Sequence, residues 1–139
     1  MADFEETAAV LKEAKRLGLY GVDEVSAHPL ACLSADYNGI GPASFPERLR
    51  KFVDDLTPDL KPAALVHDFR WSHSDGSLEG FDYSNTELEM NCLKIAQTFP
   101  WWHWKRYYLE RIGRTYAALC REFGYIPYIK AFKEQKKEA

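Results

Sequence analysis

The sequence predicts an all-α, mainly helical fold, and three observations carry that expectation. Apolar residues recur at three- and four-residue spacing through several separate segments. Glycine or proline stands where these patterns end, at Gly18, Pro58, Pro100 and Gly124. No stretch alternates apolar and polar residues cleanly enough to read as a strand. A chain of 139 residues suits a single domain, 1–139, with one core.

The elements follow in order. Residues 3–17 are expected as a helix, with Phe4, Ala8, Leu11 and Lys15 at helical spacing and Gly18 as its stop. Residues 18–44 are rich in Gly, Pro, Asp and Asn and read as a long irregular connection, a kind of segment that is usually functional or disordered. Pro46–Leu56 reads as a short amphipathic helix with Leu49, Phe52, Val53 and Leu56 on one side, broken by Thr57-Pro58-Asp59. Pro62 suits a first helical position and opens a helix from Ala63 to Trp71. Ser72–Phe81, with Ser, Asp and two glycines, is expected as an exposed loop. The next helix runs from Ser84 to Thr98, and Ser84 with Glu87 has capping-box spacing. Residues 101–123 form the longest helical segment, stopped by Gly124, and Tyr128–Lys137 a short terminal one. There is no internal repeat and no low-complexity segment.

Bulk properties narrow the function classes. The net charge of -3 provides no global basic field, so nucleic acid is not an expected partner. The longest apolar runs are far too short to span a membrane, and no transmembrane segment is expected. The acidic start (Asp3, Glu5, Glu6) lacks the pattern of a signal peptide, so the expected location is the cytoplasm of the producing cell. Cys32, Cys92 and Cys120 are widely spaced and without a CxxC pair, which points to reduced thiols in a core. His28, His73 and His103 lack metal-ligand spacing, so zinc is not expected. No P-loop, dinucleotide fingerprint or nucleophile elbow is present.

The sharpest chemistry lies in Leu65-Val66-His67-Asp68-Phe69-Arg70-Trp71, read together with Asn38-Gly39-Ile40-Gly41-Pro42 upstream. On a helix His67 and Trp71 share a face, while Asp68 points roughly 100° away, which permits separate tasks. Histidine is the side chain best placed to accept a proton near neutral pH. A carboxylate is a hard oxygen ligand for calcium, which also takes backbone carbonyls, and Gly39 and Gly41 let a loop turn its carbonyls inward. A cation so held would polarise an ester carbonyl while His67 deprotonates a water. The bland alternative is a structural or solvated His-Asp pair beside an ordinary turn.

This arrangement resembles the phospholipase A2 superfamily, whose mark is a Gly-rich calcium loop followed by a helix with His-Asp and an aromatic residue four positions after the His. It is particularly similar to the compact, cysteine-poor viral and phage-type members. The resemblance covers residues 36–92 and implies a two-helix phospholipase A2-like core with extra N- and C-terminal helices. It implies that His67 is the general base and that Asp68 binds calcium together with carbonyls of the Asn38, Gly39, Ile40 and Gly41 loop. Trp71 would be the aromatic residue of the substrate pocket. The family pattern expects an Asp on the second helix; Asn85 stands nearest to that place, with Glu89 one turn later as a substitute. Asn85 can fix the imidazole tautomer but cannot stabilise an imidazolium as an anion does, a loss of about 10⁴-fold in the comparable position of a serine protease triad. Two functions follow as expectations. One is a calcium-dependent esterase or phospholipase, phage- or prophage-derived, acting on a phospholipid or other ester. The other is a non-catalytic, phage-related structural or interaction protein that keeps the helical scaffold, has a protein partner in a phage particle, and is virion-associated.

Pro100-Trp101-Trp102-His103-Trp104-Lys105-Arg106-Tyr107-Tyr108 is the densest aromatic segment. The favoured expectation is that Trp101, Trp104, Tyr108 and Ile112 are the buried stripe of a helix, since a small helical domain needs large core side chains. The other readings are a lipid-facing surface and a nucleic-acid surface of stacking rings among cations, the latter disfavoured by the acidic total. Arg70, Lys105, Arg106, Arg111 and Arg114 read either as an anion-binding surface or, for most of them, as a solvated face, the favoured expectation. Asp75, Glu79 and Asp82 in the central loop read either as a supplement to cation binding or, as favoured, as residues that keep the loop solvated.

Overall fold

The computed structural model describes residues 4–36 and 47–138, and among them every regular element is helical. Helix α1 (Phe4–Leu17) has Glu5 and Glu6 in its first turn and Lys15 and Arg16 in its last, which complements the helix dipole. Gly18, at φ +62°, ends it in the left-handed region, as expected. The expected irregular stretch after Gly18 instead contains two short helices, α2 (Val22–Ser26) and α3 (Leu30–Asp36). Each is too short to show a periodic stripe, but Val22, Val25 and Leu33 are buried, and packing against the rest of the chain sustains both.

Helix α4 (Glu47–Asp54) and a 3-10 turn at Pro58–Leu60 lead into α5 (Lys61–Ser72), where Pro62 occupies the first turn as the sequence predicts. Helix α5 is buried from Pro62 through His67 and again at Phe69 and Trp71. A helix enclosed on nearly every side belongs in the middle, and α1, α3, α6 and α8 pack around it. Helices α6 (Leu78–Ala96) and α7 (Trp104–Phe123) form the most extensive helix pair. They run antiparallel, with Glu89 bonded to Arg121 at one level and Cys92 against Gly113 at another. Helix α8 (Tyr125–Glu138) closes the core, Tyr128 donating its hydroxyl proton to the Ser77 carbonyl at 2.9 Å.

Three expected boundaries are corrected. Helix α6 begins a full turn and more before Ser84, because Asp75, Gly76 and Ser77 build the cap. Asp75 Oδ1 accepts from the Ser77 amide at 2.9 Å and from its hydroxyl at 2.6 Å, and Ser77 Oγ accepts from the Gly80 amide at 2.9 Å. Gly76 supplies the positive φ (+73°) that this turn requires. Ser84 is therefore inside the helix, not its cap. Helix α7 starts at Trp104, where His103 Nδ1 accepts from the Lys105 amide at 3.1 Å, so Trp101 and Trp102 lie in the preceding turn. Helix α8 begins at Tyr125, directly after Gly124, three residues earlier than expected.

The core is built from Leu60, Ala63, Trp71, Leu88, Cys92, Ile95, Leu109, Tyr116, Ala117 and Tyr128, with Ala14 and Leu19 from the N-terminal part. Cys92 and Cys120 are buried free thiols within it, and burial holds both well above the usual thiol range, Cys92 at about 12. They act as small apolar side chains. Gly113 marks the closest approach of α6 and α7: a Cβ there would lie 2.4 Å from the Cβ of Cys92. Gly113→Ala is therefore expected to lower unfolding free energy by about 1–3 kcal/mol in urea titration, despite the better helix propensity of Ala. An unchanged or higher midpoint would contradict this close packing.

Candidate functional site

Helix α5 presents His67 to α6, where Asn85 lies opposite. The His67 Nε2 and Asn85 Oδ1 atoms are 2.9 Å apart, and with Oδ1 facing the ring the imidazole N–H donates. Both residues are buried, His67 at 3% exposure and Asn85 fully. The ring sits against Trp71 at a centroid distance of 4.6 Å and near Tyr116 at 6.1 Å. Burial drives the His67 pKa down to about 4, and the bond to Asn85 opposes that only in part. His67 is thus a neutral imidazole in the core, and the nitrogen that faces Asn85 carries its proton. Among the described residues Asn85 Nδ2 has no hydrogen-bond partner.

The other expected site residues are placed less closely. Asp68 is half-buried on a different side of α5, and its charge contributes to raising the Cys120 thiol pKa. Glu89, one turn after Asn85, pairs with Arg121 at 2.8 Å instead of reaching His67. Trp71 is completely buried, its indole N–H donating to Ser84 Oγ at 2.9 Å, with Phe81 and Tyr128 beside its ring. Asn38, Gly39, Ile40 and Gly41 lie outside the described residues. Among the described residues no trio of His, Cys, Asp or Glu side chains converges as a metal site requires. Of the expected calcium ligands, only Asp68 is described, and one half-buried carboxylate does not by itself fit a calcium ion.

Polar contacts that sequence reasoning missed run along α6. Glu87 accepts two bonds from Arg70 of α5, at 2.9 and 3.0 Å, and Arg70 also donates to Glu24 of α2 at 2.5 Å. Those carboxylates, Glu87 foremost, hold the Arg70 pKa above its ordinary value. Asn91 clasps the backbone of Tyr20, accepting from its amide at 2.8 Å and donating to its carbonyl at 3.0 Å. Lys94 donates to the Gly18 carbonyl at 2.6 Å. The spacing of Glu87, Asn91 and Lys94 puts them on one helical face, and that was the available signal.

The aromatic segment reverses the favoured expectation. Trp101 is 73% exposed, Trp102 67% and Trp104 68%, while Tyr107 and Tyr108 are also exposed. Ile112 is half-buried and packs against the core. The helix begins three residues later than the stripe required, so the tryptophans fall in the turn and on the outer face of α7. Among the expected solvated cations, Arg70 is instead tied between two carboxylates, whereas Arg111 and Arg114 are exposed as expected.

A pH test follows from the buried imidazole. The unfolded chain protonates His67 near its ordinary pKa of 6.5, the folded chain only near about 4. Between those values the unfolded state holds more protons, so stability is intact above pH 6.5 and falls as pH drops toward 4, by roughly 3 kcal/mol for this group. The difference in unfolding free energy between the parent and His67→Gln should change by that order across the window. A constant difference would contradict a buried neutral His67. Comparison with family models, with curated proteins and with solved structures finds no match for this chain.

Proposed function

We propose that this protein is a non-catalytic binding protein, a helical scaffold whose working part is the exposed aromatic corner at Trp101–Tyr108. The observation that carries this reading is the enclosure of His67. A general base must reach a water or a substrate proton within hydrogen-bond distance. His67 is packed among Trp71, Tyr116 and Asn85, with its pKa lowered to about 4, so little of its environment serves proton transfer near neutral pH. Large apolar side chains are meanwhile spent on the surface instead of the core, and exposed aromatic patches mark interaction sites. The phage or prophage setting and a protein partner in a phage particle rest on the resemblance alone.

The second reading, a calcium-dependent esterase or phospholipase A2-like hydrolase, is favoured by one contact: Asn85 meets His67 where the resemblance places a supporting side chain. In that reading His67 would hold the proton of an attacking water, Asp68 would help hold the metal, and calcium would polarise the ester carbonyl.

Calcium titration by thermal shift on the parent and Asp68→Ala, with phospholipid and short-chain ester hydrolysis by the parent and Asn85→Asp, separates the two. The binding-protein reading expects the same Tm with and without calcium in both proteins, and no hydrolysis by either. Calcium-dependent stabilisation lost in Asp68→Ala, or hydrolysis that rises in Asn85→Asp, where the carboxylate is supplied, would overturn it.

A further inference from the structure

Five large rings stand clear of the protein at the α6–α7 corner, all within eight consecutive residues. None is aliphatic. On the outer face of α7, Trp104, Tyr107 and Tyr108 are followed at helical spacing by Arg111 and Arg114, both exposed. Beside Tyr108, a groove of about 380 Å³ between α4 and α7 is floored by Phe52, Leu56 and Ile112, with Arg48 and Lys51 at its rim and Asp55 the acid of its lining. Arg48, Lys51, Arg111 and Arg114 are all exposed. The nearby acids Asp59 and Glu110 are engaged by Lys105 at 2.9 Å and Arg106 at 3.6 Å. The corner is therefore aromatic and locally cationic on a chain whose net charge is -3.

We propose that this corner adsorbs to an anionic lipid bilayer, the rings entering the headgroup layer while Arg48, Lys51, Arg111 and Arg114 meet lipid phosphates. The proposal rests on the reading above that the corner is the working surface. Trp and Tyr have an apolar body and a polar edge, which suits the boundary between headgroups and acyl chains. The three tryptophans, exposed by two-thirds or more, lie outside the lining of that groove and form no preshaped pocket for a partner's side chain. A fluid surface needs none, whereas a protein hot spot is a packed, complementary pocket. Single-stranded nucleic acid would need a basic groove running along the rings, whereas the groove beside Tyr108 has an apolar floor, carries Asp55 and includes none of the tryptophans. Charge complementarity thus selects an anionic membrane, with adsorption that weakens as salt rises.

The test uses the full chain, in EDTA, with phosphatidylcholine vesicles containing or lacking phosphatidylglycerol. Tryptophan emission should shift to the blue and the protein should co-sediment only with the anionic vesicles. Trp101→Ala with Trp102→Ala should weaken binding at least about tenfold. Arg111→Glu with Arg114→Glu should weaken it by roughly 30-fold or more. All four positions are exposed, and an unchanged circular dichroism spectrum verifies that the variants fold. Binding equal on both vesicle types, no binding to either, or preference for a single-stranded oligonucleotide overturns the proposal. Failure here, with the calcium and hydrolysis tests also negative, leaves the binding-protein reading in place. Hydrolysis that rises in Asn85→Asp defeats that reading whatever the vesicles do.

Discussion

The pairing of Arg70 with Glu87 is the contact on which the arrangement of the other helices depends. Glu87 is nearly sealed in the interior, and a carboxylate there is tolerated only with charged donors in good geometry. Arg70 supplies two such bonds and reaches on to Glu24. This fixes the rotation of α6 about α5 and secures α2 across both. Once that rotation is set, Ser84 falls under the Trp71 indole, Asn85 opposite His67, and Asn91 against the Tyr20 backbone. Apolar packing alone would tolerate several rotations of two helices; a row of buried polar groups that must each find a partner tolerates one.

The same constraint places the most suggestive dipeptide in the chain where its histidine is enclosed. His67 lies on the helix that everything else surrounds, so its imidazole is spent on the α5–α6 contact. Its neutral form is required by that burial. At the end of the α6–α7 hairpin, by contrast, the helices turn and the rings at Trp101 to Tyr108 are exposed. No described helix is long and apolar enough to cross a membrane.

Much of this was legible in the residues. Helices α1, α4 and α5 follow their apolar spacing and their Gly and Pro punctuation. Asn85 was named beside His67 only through the resemblance, and the 2.9 Å contact between them is a finding of the structure. What was not legible has local physical causes. Helices α2 and α3 are too short to show a period and exist through packing of Val25 and Leu33. Ser84 and Glu87 have the spacing of a cap but point inward, because Asp75 and Ser77 form a better one upstream. The tryptophans were misplaced because composition favours large rings in a core, and only the His103 cap reveals that the helix starts beyond two of them. Long-range partners such as Tyr20 for Asn91 have no local signature at all.

A double-mutant cycle in urea with Arg70→Met, Glu87→Leu and the two combined tests the role of the buried pair most directly. Arg70→Met strands the Glu87 carboxylate away from water and should cost several kcal/mol, Glu87→Leu leaves Arg70 its bonds to Glu24 and should cost less, and the double variant should cost clearly less than the sum, with a coupling of about 2 kcal/mol. Additive losses within about 0.5 kcal/mol would show that the two residues do not depend on one another, and that apolar packing sets the arrangement of α5 and α6 without them.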